Sequence, residues 1–240
     1  MHGRVEAVSA GGLNGSTGGV IGKIVSSIEL GLSRLVMHGD VLAMDSSNVG
    51  GVIGYIASSD ISLFASAGLG NVTGFNLVGG LIGKCEGEVD RVYSEGGVID
   101  INNNLGKGGG LIGQLGPASS LRNCFSLNNV IALASGNSFV GGLVGSGLAG
   151  TSIENCYTYE QSLIGDNPQS FVASGSSSGN TAYNASTIAD SEATLKIVAE
   201  MAMFSEMDPI LNSTDNKFTL DGGSTSPRLI FENFILYGTF

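Results

Sequence analysis

The sequence predicts an all-β chain, a parallel β-helix of about five coils closed by a C-terminal helix and short strands. Three observations point there. The pentapeptide Gly-Gly-aliphatic-aliphatic-Gly occurs five times, beginning at Gly18, Gly50, Gly79, Gly109 and Gly141, at spacings of 32, 29, 30 and 32 residues. A fixed period in this range marks a stacked repeat. Each repeat also contains short strand-like runs separated by Asn, Gly and Ser, which are turn formers. Finally, most of the 39 glycines fall within the repeats and argue against helices there, because each glycine costs a helix about 1 kcal/mol.

The repeat unit reads as three runs. The first is the glycine-rich pentapeptide, built on Gly19 and Gly22, Gly51 and Gly54, Gly80 and Gly83, Gly110 and Gly113, and Gly142 and Gly145, and continuing to Ile24, Ile56, Cys85 and Leu115. The paired glycines mark places of sharp turning or close backbone approach. The second run reads aliphatic-x-x-apolar-aromatic-Ser/Thr: Val89 to Ser94, Leu121 to Ser126 and Ile153 to Thr158, with degenerate versions at Leu32 to Met37 and Ile61 to Ser66. The third comprises Val41 to Met44, Asn71 to Thr73, Val98 to Ile101 and Val130 to Leu133. One such coil cannot bury its apolar face alone, so neighbours complete the core.

In this alignment Cys124 and Cys156 share a slot with Val92 and Phe64, and Cys85 shares one with Ile24, Ile56 and Leu115. Free cysteine packs as a small hydrophobe, so the expected role is a buried ladder. A Cys124–Cys156 disulfide is the sharper alternative, although side chains running side by side suit its dihedral poorly. Three cysteines form no disulfide framework and have no CxxC spacing for zinc.

The pattern resembles the GLUG-motif repeat, with GGL(V/I)G followed by an Asn-Cys-aromatic strand. The best matches are Gly109 to Phe125 and Gly141 to Tyr157, then Gly79 to Ser94, and the likeness spans roughly residues 18–160. It implies right-handed parallel β-helices from secreted or surface-exposed microbial proteins, including adhesins and non-catalytic parts of IgA-protease-like peptidases. Many such arrays end in a helix and a strand segment; Phe218-Thr219-Leu220 and Pro227-Arg228-Leu229 look like a version of it without Trp.

Beyond the repeats (residues 1–160), residues 161–189 are Ser/Gly-rich and read as a loop or linker. Residues 190–240 read as a capping or docking segment. Within it, Leu195, Val198, Met201 and Ala202 fall at helical spacing and predict an amphipathic helix over 191–204. Its expected role is to cap a solenoid end or to cover the third run. That run is apolar on both faces, with Leu42, Met44, Ile99, Ile101, Ile131 and Leu133 accompanying Val41, Val98 and Val130. These six residues are interface candidates for the helix, a partner chain or a neighbouring subunit.

Composition limits the chemistry. Hydrophobic residues are 42% and charged residues 13% of the chain, too apolar for disorder. A net charge of −11 disfavours nucleic acid and anionic membrane surfaces, and no apolar run approaches a membrane span. No secretory signal is visible, so the chain reads as a piece of a longer protein or as a processed form.

No HExxH, GxSxG or catalytic-cysteine signature is present. His38 beside Asp40 could form half a dyad, but an exposed corner is the expected role. Glu86, Glu88, Asp90, Arg91 and Glu95 could do acid–base work on a polysaccharide. A solvated face is expected instead, because in the sequence adjacent coils supply nothing to stack on them. Calcium at Asp208, Asp215, Asn216 and Asp221 lacks the spacing of known loops, so no catalytic, cofactor or metal residue is assigned. Sequons at Asn14, Asn71, Asn184 and Asn212 occur at about the frequency expected by chance in so Asn-, Ser- and Thr-rich a chain. No regular Thr ladder supports ice binding.

The functional expectation is a non-enzymatic extracellular or cell-surface segment, acting in adhesion or filament structure. Its partners would be a glycan, a protein or another copy of itself. The alternatives are the passive stalk of a larger secreted peptidase-like protein and, less favoured, a carbohydrate-active β-helix.

Overall fold

The five glycine motifs are corners rather than strands. In the computed structural model, the first glycine of each motif ends one strand, the next two residues turn, and a new strand starts at the second aliphatic residue. Thus Ser46–Gly50 is followed by Ile53–Ile56, and Leu77–Gly79 by Ile82–Cys85. The aliphatic run concealed this turn in the sequence. The structure describes residues 3–6, 15–100, 106–133, 139–154 and 156–159, together with strands at 163–164, 167–169, 172–175, 181–183, 186–188, 218–220 and 227–229.

Each motif therefore joins two faces of a parallel β-solenoid. The first face stacks Gly15–Gly18, Ser46–Gly50, Leu77–Gly79, Lys107–Gly109, Phe139–Gly141 and Asn167–Gln169. The second stacks Ile21–Ile24, Ile53–Ile56, Ile82–Cys85, Ile112–Leu115, Val144–Gly147 and Val172–Gly175. A third, 14-stranded face is built around Ile61–Leu69, Glu88–Asp100 and Phe125–Ala132. Every rung pairs in parallel with the next. Even the corners join the ladder, with Leu81 N–H donating to Leu111 O at 2.9 Å and Leu111 N–H to Leu143 O at 2.9 Å. Strands from 163 to 188 continue the ladders where the composition suggested a linker.

The glycines are fixed by steric crowding between rungs. A Cβ added to Gly113 would lie 2.6 Å from Gly83 O and 2.6 Å from Val78 N. Real Cβ atoms do not approach backbone so closely. A Cβ on Gly80 would press on Ser94 Oγ and Asn128 Nδ2, and one on Gly110 on Ser126 Oγ. Gly142 supplies the carbonyl that a Cβ on Gly110 would strike. Close approach, not left-handed backbone, thus explains the repeated glycines.

Left-handed backbone occurs elsewhere. Arg34, Ala65, Arg91 and Asn123 have φ of 58°, 48°, 55° and 53° and occupy one position in successive rungs. They bend the third face between the two halves of the aliphatic-x-x-apolar-aromatic run. The Asn of Asn-Cys-aromatic is this bend residue, and asparagine tolerates the conformation better than most side chains.

The register corrects one sequence alignment. Leu63, not Ile61, pairs with Val89, and Ser66 pairs with Val92. The slot of Val92, Cys124 and Cys156 is therefore completed by Ser66, while Phe64 lies two residues earlier, level with Asp90. Ile61 and Leu63, two residues apart, are both buried, so the hydrophobic pattern alone could not detect the slip there.

Two apolar clusters fill the interior. The larger contains Val52, Leu81, Leu111 and Leu143 from the corners, together with Ile53, Ile82, Ile112, Leu63, Val89 and Leu121. The smaller gathers Val41, Val72, Val98 and Val130 against Val49, Val78 and Val140. A buried polar seam adjoins the corners: Ser94 Oγ donates to Gly110 O at 2.6 Å, and Asn128 Nδ2 donates to Ser94 Oγ at 2.6 Å. The Ser/Thr that ends the second sequence run thus serves a corner carbonyl.

The chain divides into two contact units, Met1–Thr187 and Ile188–Phe240. In the second, Phe218–Leu220 and Pro227–Leu229 form an antiparallel pair. The expected helix over 191–204 lies outside the described residues.

Candidate functional site

The residue after the last glycine of each motif projects from the second face. These residues form a ladder of Lys23, Tyr55, Lys84, Gln114 and Ser146. Lys23 and Lys84 place their ammonium groups 5.1 Å and 4.6 Å from the Tyr55 ring centroid, within cation–π range. The Tyr55 hydroxyl donates to Glu86 Oε1 at 2.6 Å, and Lys84 Nζ donates to the same oxygen at 2.7 Å and to Tyr55 Oη at 3.1 Å.

The ladder also answers the expectation that adjacent coils supply nothing to stack on the carboxylates. Glu86 is held by Lys84 from its own rung and Tyr55 from the rung before. Burial alone would raise its carboxyl, but the hydrogen bonds from Lys84 and Tyr55 outweigh it and hold Glu86 below its ordinary value. Burial would likewise lower Lys84, yet its bonds to Glu86 and Tyr55 raise it. Burial, then the bond to Glu86, raises the Tyr55 phenol.

The sign of the pH dependence follows. Glu86 contributes stability that is full above the ordinary carboxylate value near 4.3 and fades as pH falls through its lowered value. Lys84 and Tyr55 contribute stability that is full below their ordinary values near 10 and fades as pH rises through their raised values. Glu86→Gln is expected to flatten the acid limb of a melting-temperature profile. It should cost no more than about 1 kcal/mol, because solvent screens the partly exposed pair.

The other acidic candidates are engaged too. Asp90 Oδ2 accepts from Arg91 Nε at 2.8 Å, and Asp90 Oδ1 accepts from Asn123 Nδ2 of the next rung at 2.8 Å. The Arg91 guanidinium lies 5.6 Å from the Phe64 ring centroid. Glu88 meets Arg122 at 3.7 Å with both side chains largely exposed, a contact of small energetic weight. Glu95 lies on the same long strand. Asp90 with Asn123 and Glu88 with Arg122 thus form cross-rung ties.

His38 sits in Val36–His38 on the third face, and its carbonyl accepts from Gly3 N–H. The neighbouring Asp40 carboxylate accepts from the backbone and side-chain amides of Asn71, at 2.8 Å and 3.1 Å. The Asn71 sequon thus has its amide turned to Asp40. The other three sequons, and Asp208, Asp215 and Asn216, lie outside the described residues. Asp221 does too. Among the described residues, no group of three or more His, Cys, Asp and Glu is gathered for a metal ion.

All three cysteines are buried free thiols. Cys85 pairs in register with Ile56 and Leu115. Burial pushes its thiol up to about 12, and burial with the adjacent Cys156 thiol raises Cys124. The native chain is expected to resist a thiol-specific reagent at neutral pH and to label at three sites once unfolded. Fast native labelling would contradict the packing.

The interface candidates divide between strand and corner. Leu42, Thr73, Ile99 and Ile131 share one register position, next to that of the buried Val41, Val72, Val98 and Val130. Leu42 and Ile131 are half-buried, whereas Met44 and Leu133 are 52% and 63% exposed. Ile101 lies outside the described residues. The ladder of Lys23, Tyr55 and Lys84 was missed in the sequence, although its signal was the residue following each glycine motif.

No family model matches the chain, and no curated protein does. Among solved structures, a protein described as a "putative immunoglobulin A1 protease" from Bacteroides ovatus is similar at a TM-score of 0.48 and 15% identity, over 96% of this chain and 86% of that one. A likeness at that level says nothing about activity.

Proposed function

We propose that this chain is a non-enzymatic extracellular module, a GLUG-type β-solenoid segment that acts by contact in adhesion or cell-surface structure. The observation carrying this reading is the condition of the acidic candidates. Glu86 is bonded to Lys84 and Asp90 to Arg91, and Glu88 lies 3.7 Å from Arg122, an arrangement that suits contact through polar and aromatic groups better than proton transfer. Ladders at strand spacing, about 4.8 Å apart, suit a repeating ligand such as a glycan.

A second reading is a passive stalk of a larger secreted peptidase-like protein. The uninterrupted parallel pairing of six strands on each of two faces supports it, because such a rod separates what lies at its ends.

Immobilised chain should be screened against acidic and neutral glycans, with Tyr55→Ala beside the wild type, and the same glycans should be assayed for cleavage. Saturable binding weakened by Tyr55→Ala supports the contact reading. Turnover of any glycan overturns it, and an absence of binding transfers the case to the stalk.

A further inference from the structure

We propose that the ladder of Lys23, Tyr55, Lys84 and Gln114 is a subsite for the anionic groups of an acidic glycan lying along the second face. This rests on the contact reading and specifies what that contact selects. The first argument is how far the tyrosine is already engaged. Lys23 and Lys84 belong to the rungs before and after Tyr55, and each brings its ammonium group within cation–π range of the ring. A neutral sugar stacking on that ring would have to displace a cation from it. The phenol is engaged as well, donating to Glu86 Oε1 and accepting from Lys84 Nζ.

The second argument is that the unused capacity of the ladder lies in donors. Lys84 Nζ spends two of its three N–H groups on Glu86 and Tyr55. Lys23 is exposed and, among the described residues, makes no ion pair beyond its approach to the Tyr55 ring. Glu86 lies close enough to be held ionised by both lysines, so one carboxylate stands against two ammonium groups. The next rung adds Gln114, in register with Lys84. Gln114 is 9% exposed, and its amide hydrogen-bonds to none of the described residues. An amide held that far out of water without a partner is costly, and a ligand oxygen on the ladder would supply the partner.

Spacing and screening favour an acidic polymer. At physiological ionic strength, exposed charges more than about 8 Å away are largely screened. The groups of the ladder, rather than the net charge of −11, therefore set the preference at this site. The rungs that carry the two lysines are two strand spacings apart, about 10 Å, so acidic groups recurring along an extended glycan meet them in turn. A compact ammonium attracts a carboxylate and a sulfate alike, and the acidic group is either of these.

The test measures binding of the full chain to a polyuronate, to the methyl ester of the same polymer and to a sulfated glycan, at about 0.15 M salt. Esterification removes the charge and keeps the sugar backbone. Wild type would be compared with Lys23→Gln and with Arg4→Gln, which removes the same charge from an exposed position off the ladder, with thermal melts to show that each folds. The expected result is binding of the polyuronate, the sulfated glycan or both, with the ester at least about tenfold weaker. Lys23→Gln should weaken that binding about three- to fivefold, the weight of one exposed charge pair, and Arg4→Gln by less than about twofold. An ester bound as tightly as the acid overturns the proposal and leaves the contact reading standing. Equal losses from Lys23→Gln and Arg4→Gln also overturn it, because the attraction would then belong to no particular site. Binding of none of the three polymers removes the proposal together with the contact reading.

Discussion

Gly113→Ala is expected to destabilise the solenoid by more than about 3 kcal/mol, the upper range for forcing an atom into a packed interior. One methyl group would lie 2.6 Å from both Gly83 O and Val78 N. Both contacts are backbone atoms held by ladders on either side, so rotamer adjustment gives no relief. Gly31→Ala is the opposing control. Gly31 is exposed in the strand Leu30–Ser33, and a Cβ there meets Phe64 Cε1 at 3.6 Å, an ordinary contact. Alanine at that position should be neutral or stabilising by a few tenths of a kcal/mol, because glycine loses more backbone freedom on folding. Thermal melts followed by far-ultraviolet circular dichroism read both. Equal melting temperatures for Gly113→Ala and wild type would refute the steric account of the repeat.

The same contrast explains what could be read from the sequence. The glycines were legible because no other residue fits between rungs, so the constraint recurs in every coil and leaves a period. The inward ladders were legible through Val41, Val72, Val98 and Val130, which keep one residue type at one position. The turn within each motif was hidden because Val52 and Ile53, or Leu81 and Ile82, look like strand residues even though a corner separates their roles. The register at Leu63 was hidden by the two-residue period of a strand. The contacts among Tyr55, Lys84 and Glu86 needed outward positions of different rungs to be compared, and charge and ring chemistry vary from rung to rung there.

Leu111→Ala should cost about 2–5 kcal/mol, the range for emptying a leucine site in a core. Leu111 is 0% exposed, and its backbone is bonded between Leu81 and Leu143. The rigid ladders on both sides limit collapse into the space left behind. Leu133→Ala removes the same side chain from a position 63% exposed and should change stability by less than about 0.5 kcal/mol. A loss at Leu111 no larger than at Leu133 would show that the corner leucines do not carry the interior.

The direction of the ladder bonds has a mechanical consequence. Hydrogen bonds run from each rung to the next, from Val20 N–H to Val52 O and from Val52 N–H to Leu81 O, so tension along the stacking direction loads few of them at a time. A terminal rung would peel away before its neighbour bears the load. Each rung set free releases about 30 residues of contour, roughly 100 Å of extended chain. Anchored at both ends, the solenoid would act as a stepwise extensible tether, yielding length under force one coil at a time while the remaining coils stay folded.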